Sequence, residues 1–246
     1  MTNYRVFDGH CDTPIELWLQ NQPLLENTLA VSLARAQRLG TWAQFFAFCT
    51  AWVEAKLPRP EIFARALDYF DAQLRENADK ITLCRTASEA EAAMQYRSMA
   101  AAAQADGVSL TLVAGYQDAD TRQAAYEARV QTYRDKRKSE EEAARLAATI
   151  QPAANANEHG TGYAADILSA DNPQQDTGFA ETRAYEWLTA YAAEYGFILR
   201  YPQDRQAATG IVFEPWHWRY VGVENALAIR ASGLSLEEFI ALQRAD

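Results

Sequence analysis

Apolar and polar positions along the chain follow two periods, and each predicts its own elements. Val6 and Phe7 sit in a short extended run, Arg5 to His10, that leads into a polar turn, and Glu16 to Gln20 can start a helix. Trp42 to Val53 is densely apolar and aromatic, the pattern of a buried strand and its flank. Pro60 suits a first helical turn, and Phe63, Leu67, Phe70 and Leu74 follow at helical spacing. Alanine-rich Glu89 to Ala105 predicts another helix, and Val108 to Ala114 alternates like a strand that Gly115 ends. A long helical stretch, Arg122 to Ile150, has a charged middle, Arg134 to Glu142, that is either a solvated face or a break between two helices. Beyond the loop Gln151 to Gly162, a strand is predicted at Gly162 to Ile167. A helix follows at Thr182 to Tyr195, carrying Trp187, Leu188 and Tyr191, and Gly196 stops it. Phe197 to Tyr201 and Ile211 to Tyr220 read as strands, and Ser235 with Glu238 forms a capping box for a last helix.

Composition narrows the class. With 246 residues, 49% hydrophobic and 23% charged, the chain suits one large or two small globular domains. A formal net charge of -10 argues against nucleic acid as a partner, although a local basic pocket stays possible. The apolar runs are too short and mixed to span a membrane, and the first residues lack the basic start and apolar stretch of a signal peptide. Taken literally, the chain is cytoplasmic. Cys11, Cys49 and Cys84 form no CxxC pair and read as free thiols. The character of the sequence changes near Gln95 without the flexible connector that usually joins domains.

Of three histidines, two lie among other site-like residues: His159 in Asn157 to Asp166, and His217 in Glu214 to Tyr220. A catalytic zinc takes three His or carboxylate ligands and leaves a position for water, whose pKa it lowers to roughly 7. His159, Asp166 and His217 supply such a set, and Glu214 is the candidate general base. Positions 214 and 217 point to opposite faces of a regular strand, so both reach one metal only if the chain bends, and Pro215 marks where it can. Glycines 160 and 162 let the backbone pass close to metal or substrate. The plain alternatives are a satisfied core histidine at 217, core packing for Trp216 and Trp218, and surface carboxylates at Glu158 and Glu194. Spacing alone leaves these open.

The two segments resemble the VanY-type D-alanyl-D-alanine carboxypeptidases, whose pattern is S-x-H-x-x-G-x-A-x-D followed by E-P-W-H-x-R-Y-V-G. The second motif is intact from Glu214 to Gly222, the first from His159 to Asp166, and likeness extends over Gly107 to Tyr116 and Phe179 to Tyr201. The resemblance implies zinc held by His159, Asp166 and His217, and Glu214 as base. It also implies an α+β domain of the Hedgehog/DD-peptidase kind with an antiparallel sheet. The expected substrate contacts are Gln117, Arg122, Asn157 and Trp216. Where the family has S-G-Y-R-S, this chain has Ala114-Gly115-Tyr116-Gln117-Asp118, and Arg122 stands where glutamine is usual. The two side chains are expected to have exchanged roles, with Arg122 supplying the guanidinium for the substrate carboxylate. Asn157 replaces the serine before the metal histidine.

Phe7 to Pro14, with His10 and Asp12, resembles the opening of the membrane (renal) dipeptidase family, and Ala43 to Ala47 resembles a later strand of it. The likeness stops near Ala93. The expected organisation is therefore an incomplete β/α-barrel fragment over residues 1–94, with no working metal site, joined to a carboxypeptidase domain over 95–246. The expected activity is zinc-dependent removal of the terminal D-alanine from a peptidoglycan stem peptide, with no nucleic acid and no stable protein partner. A non-catalytic peptidoglycan-binding module on the same fold, or a chimeric chain without activity, are the alternatives. The family's usual location is extracytoplasmic.

Overall fold

The computed structural model describes residues 5–39, 41–54 and 56–244. The chain divides into two compact units, Met1–Arg85 and Thr86–Asp246. This division precedes the expected join at residue 95, because Ala87–Ala105 is one continuous helix whose Ala92, Met99 and Ala103 are buried in the core of the second unit.

The first unit runs β1 (Arg5–Cys11), α1 (Thr13–Gln20), α2 (Leu33–Ala36), β2 (Thr41–Phe46) and α3 (Arg59–Glu76). The strands pair in parallel, Val6 opposite Trp42 and Phe7 opposite Ala43, and form a two-stranded sheet. Among the described residues no further strand joins them, so the barrel-fragment expectation meets only a βαβ-like unit. Strand β2 ends at Phe46, short of the predicted apolar run, and its face is not fully buried. Phe7 and Phe45 are 72% and 61% exposed and stack edge-on at 5.6 Å. On α3 the buried stripe is Ile62, Ala66, Phe70 and Gln73, one residue off the predicted face at its start. Phe63 stays exposed beside the Phe48 ring.

The second unit comprises α4 (Ala87–Ala105), β3 (Thr111–Ala114), α5 (Ala119–Asp135), α6 (Glu140–Ala148), β4 (Ala164–Leu168), α7 (Arg183–Tyr191), β5 (Phe197–Leu199), α8 (Gln206–Thr209), β6 (His217–Tyr220), α9 (Val223–Ser232) and α10 (Leu236–Gln243). The charged middle of the long helical stretch is a break. Arg137 takes a left-handed φ of 60°, and the Ser139 hydroxyl caps α6 by accepting from the Glu142 N–H. The predicted capping box at Ser235 and Glu238 is present.

Four strands form an antiparallel sheet in the order β3-β4-β6-β5. Because strand side chains alternate, each central strand has a core face and a site face. Ala165 and Ile167 of β4 and Trp218 and Tyr220 of β6 enter one apolar cluster with Phe179, Leu188 and Phe197. Asp166 and His217 point the other way.

Gly196 ends the helical segment after α7 in a left-handed conformation, φ 83°, with the Tyr220 ring against it. A Cβ there would lie 2.6 Å from Tyr220 Cε2 and 3.0 Å from the Gly222 carbonyl carbon. Gly196→Ala is therefore expected to destabilise the second unit by at least about 1–2 kcal/mol, read as a lower urea midpoint, and an unchanged midpoint would contradict the packing.

Candidate functional site

The sheet register brings the site together. Asp166 on β4 lies directly opposite His217 on β6 and, on its other side, opposite Ala114 on β3. Cross-strand partners of this kind have side chains in contact, and His217 Nδ1 is 2.9 Å from Asp166 Oδ1. His159 arrives from a short 3-10 turn, Glu158–Thr161, whose N-terminus is capped by Asn157: its Oδ1 accepts the His159 N–H at 3.0 Å. The turn is tied to the loop that follows β3, because the Gln117 N–H donates to the His159 carbonyl.

Each histidine presents one nitrogen to the cluster. His159 Nδ1 donates to the Gly115 carbonyl at 2.7 Å, which leaves Nε2 facing Asp166 Oδ2 at 3.4 Å. For His217 it is Nδ1 that faces Asp166. One donor atom from each of His159, Asp166 and His217 lies within 4.8 Å of the others, all three residues are buried, and this is the one such group of three among the described residues. Two imidazole nitrogens and a carboxylate oxygen, close together and out of solvent, match the kind of donor set that a catalytic zinc takes. His10 and Asp12 do not share in such a group. They form an exposed pair at 3.3 Å in the first unit.

Glu214 reaches the cluster through a turn rather than a bulge. The predicted strand Ile211 to Tyr220 begins only at His217. Pro215 and Trp216 form a tight turn closed by the His217 N–H donating to the Glu214 carbonyl at 3.1 Å. The proline cannot extend a ladder, so the chain reverses there and both side chains come to one side. Glu214 Oε2 lies 4.0 Å from His217 Nδ1, and the carboxylate is buried.

The ionisation states follow from burial and neighbours. Burial pushes Glu214 up to about 8, the nearby His217 and Arg129 charges pulling against it. Burial alone would raise Asp166 too, but hydrogen bonds to His159 and His217 hold it well below the usual carboxylate range. His217 is fully enclosed, which favours its neutral form. Asp166 and Glu158 outweigh this and raise it to about 9.

The substrate-side expectations divide. Arg122, on α5, donates from Nε to the carbonyls of Gln117 and Asp118 and lays its guanidinium across Gly160, where a Cβ would sit 2.4 Å from Cζ. It thus stands next to both His159 and Gln117. Asn157 is buried and its side-chain oxygen is committed to the cap. Trp216 packs its ring against the main core.

Three participants were not anticipated. Glu158, expected on the surface, is largely buried, with a side chain only 14% exposed, and is bonded to Arg200. Gln175 donates to Asp166 Oδ2 at 2.8 Å. Arg129 lends its charge to Glu214 from α5. The adjacency of Glu158 to His159 was the available signal for the first. No spacing pattern marks the other two.

The family model described as D-alanyl-D-alanine carboxypeptidase, VanY, matches residues 85–223. The chain belongs to this family. A VanY relative, a D-alanyl-D-alanine carboxypeptidase of Enterococcus faecalis, is 38% identical over 139 residues, 56% of this chain and 50% of the relative. The chain spans about half the length of the curated relatives it matches. Among solved structures, a vancomycin-resistance D,D-pentapeptidase VanY mutant in complex with Zn(II) superposes with TM-score 0.55 and 33% identity, over 61% of this chain and 81% of that one. The LdcB LD-carboxypeptidase gives TM-score 0.55 and 33% identity, over 61% and 67%. The VanY match covers none of residues 5–84, and among the described residues no helix is long and apolar enough to cross a membrane.

Metal binding at the His159, Asp166 and His217 set would displace a proton from His217, whose pKa in the folded, metal-free protein stands at about 9 against 6.5 for a free imidazole. In that state the raised pKa stabilises the fold fully below 6.5, a contribution lost as pH rises through about 9. Zinc affinity is expected to run the opposite way, rising by up to about tenfold per pH unit toward pH 9 and then levelling. Chelator-competition titrations across this range check it, and a flat profile would contradict it.

Proposed function

We propose that this chain is a zinc-dependent carboxypeptidase that removes the terminal D-alanine from peptidoglycan stem peptides. The observation that carries this reading is the buried His159, Asp166 and His217 cluster with Glu214 Oε2 4.0 Å from His217 Nδ1. His159 and His217 would hold the metal through Nε2 and Nδ1, and Asp166 through a carboxylate oxygen. When bound, zinc supplies Lewis-acid chemistry: it makes water acidic near neutral pH and draws charge from a carbonyl oxygen.

The chain's own groups move the proton. Glu214 takes it from the attacking water as the new C–O bond forms, and passes it to the amine nitrogen of D-alanine as the C–N bond breaks. Burial raises the Glu214 carboxyl above the usual carboxylate range, which favours a group that both accepts and returns a proton. Arg122 is the candidate clamp for the substrate's terminal carboxylate. With Nε engaged by backbone carbonyls, its Nη groups are the part of the fork left for a two-point contact. Gln117, whose carbonyl accepts from Arg122 Nε, is the other partner in the exchange of roles this reading assumes. Such a substrate places the working site in the cell envelope. The first unit takes no part, and His10 and Asp12 serve no metal in this reading.

A peptide-binding module on the same fold is the second reading, favoured by the absence of arginine at 117 and by the commitment of Asn157 to its cap. Assays of the full chain with zinc on peptides ending in D-Ala-D-Ala and in an L,D bond separate the two. Wild type is expected to release D-alanine, and Glu214→Gln to keep zinc while losing about 10²–10⁴ in kcat. Zinc bound by wild type without turnover supports the binding module. Arg122→Ala is expected to raise KM about tenfold or more, the loss of a charge-assisted contact, with zinc affinity unchanged. An unmoved KM removes Arg122 from the substrate site.

A further inference from the structure

The two oxygens of Glu158 have different neighbours. Oε1 accepts from Arg200 Nε at 2.7 Å. Arg200 in turn donates from both Nη groups to the Glu237 carboxylate on α10, at 3.0 and 2.5 Å, and its guanidinium lies over the Tyr201 ring. Oε2 is buried without a hydrogen-bond partner, and so is His217 Nε2. These two orphans face each other at 3.6 Å. Arg219 Nη1 lies 3.5 Å from Oε2 but donates to Thr161 Oγ1. Buried polar atoms are almost always paired, and a closing movement of a few tenths of an ångström pairs this acceptor with this ring nitrogen.

We propose that Glu158 is a positioning residue for the metal site. It accepts the Nε2 proton of His217 and so leaves Nδ1 free to bind metal, while Arg200 and Glu237 hold Glu158 in place. This inference rests on the zinc reading above.

A neutral imidazole carries one proton, and its partners decide which nitrogen keeps it. His217 Nδ1 faces two carboxylates, Asp166 at 2.9 Å and Glu214 at 4.0 Å. Without a competing acceptor at Nε2 the proton belongs on Nδ1, where it blocks the metal. Glu158 reverses that preference. A carboxylate is required because two donors must be met at once, Arg200 Nε and His217 Nε2. The amide of glutamine has only one acceptor oxygen. Tyr201 completes the mount, its ring 5.0 Å from that of His217 at 32°.

Glu158→Gln tests this in the full chain. Zinc dissociation constants come from competition with a chromophoric chelator, and the His217 ring state from nitrogen-15 NMR of the zinc-loaded protein. The variant is expected to bind zinc roughly tenfold to a hundredfold more weakly and to lose the protected Nε2–H signal, while the metal-free melting temperature stays near that of wild type. Zinc affinity within twofold of wild type, or an unmoved Nε2–H signal, overturns the proposal. If this variant does not fold, Glu237→Gln probes the same support from its more exposed end. A severalfold weaker zinc affinity in a folded protein is expected there, and unchanged affinity overturns it. Wild type that binds no zinc brings down the metal reading and this inference together. Tight zinc in wild type and variant alike brings down this inference alone.

Discussion

The antiparallel register that sets Asp166 opposite His217 is the constraint on which the site depends. Side chains alternate along a strand, so a slip of one residue would send both to the wrong face. What resists the slip is apolar. Ala165, Ile167, Trp218 and Tyr220 fill the core from the same two strands, and any shift that frees the polar pair must also expose them. Burial on one face of the sheet thus fixes geometry on the other. The strands contribute only two of the three metal-capable residues. The third comes on a turn tied by the Gln117 N–H to the loop that follows β3, so that loop contributes through its backbone.

Buried charge is the second organising force. Glu158, Asp166 and Glu214 are all withdrawn from water, which is costly unless each finds a partner. Glu158 and Asp166 do: arginine and histidine neighbours carry the first down to about 2 and the second lower still. Glu214 has the fewest compensating contacts and is the one pushed up. Three acids packed together therefore divide into two that stay ionised and one poised to exchange a proton. The chain is acidic overall, yet Arg122, Arg129, Arg200 and Arg219 gather around this centre, a local basic surround that net charge conceals.

Much of this was legible in the sequence. Helical spacing located α3, alanine content located α4, one long helical stretch covered α5 and α6, and the wide separation of His159 from His217 was bridged by motif rather than by period. The local exceptions were not legible. Ile211 to Tyr220 reads as a strand because its residues are apolar, but Pro215 turns the chain and only the last four residues pair. Glu158 reads as a surface acid because glutamate usually is one. Its burial depends on Arg200, and that contact spans 42 positions. Asn157 occupies a serine's place in a motif, and its side-chain oxygen is engaged in a local cap that the motif does not announce. The stripe on α3 is shifted because helical spacing fits Phe63 and Leu67 as well as Ile62 and Ala66, and packing selects the second pair. Local pattern finds elements, and it misses side chains whose partners are distant in the chain.

The close approach of Arg122 to Gly160 has a consequence for how such a site can change over time. Any side chain at 160 would occupy the space the guanidinium now fills. A substitution there would evict the arginine before touching a metal-capable residue. Position 160 is thus coupled to position 122: glycine there leaves the guanidinium its present place, and any larger residue makes the flexible arginine tip move. What the turn beside the metal-capable residues can become is shaped by a helix that contributes none of them.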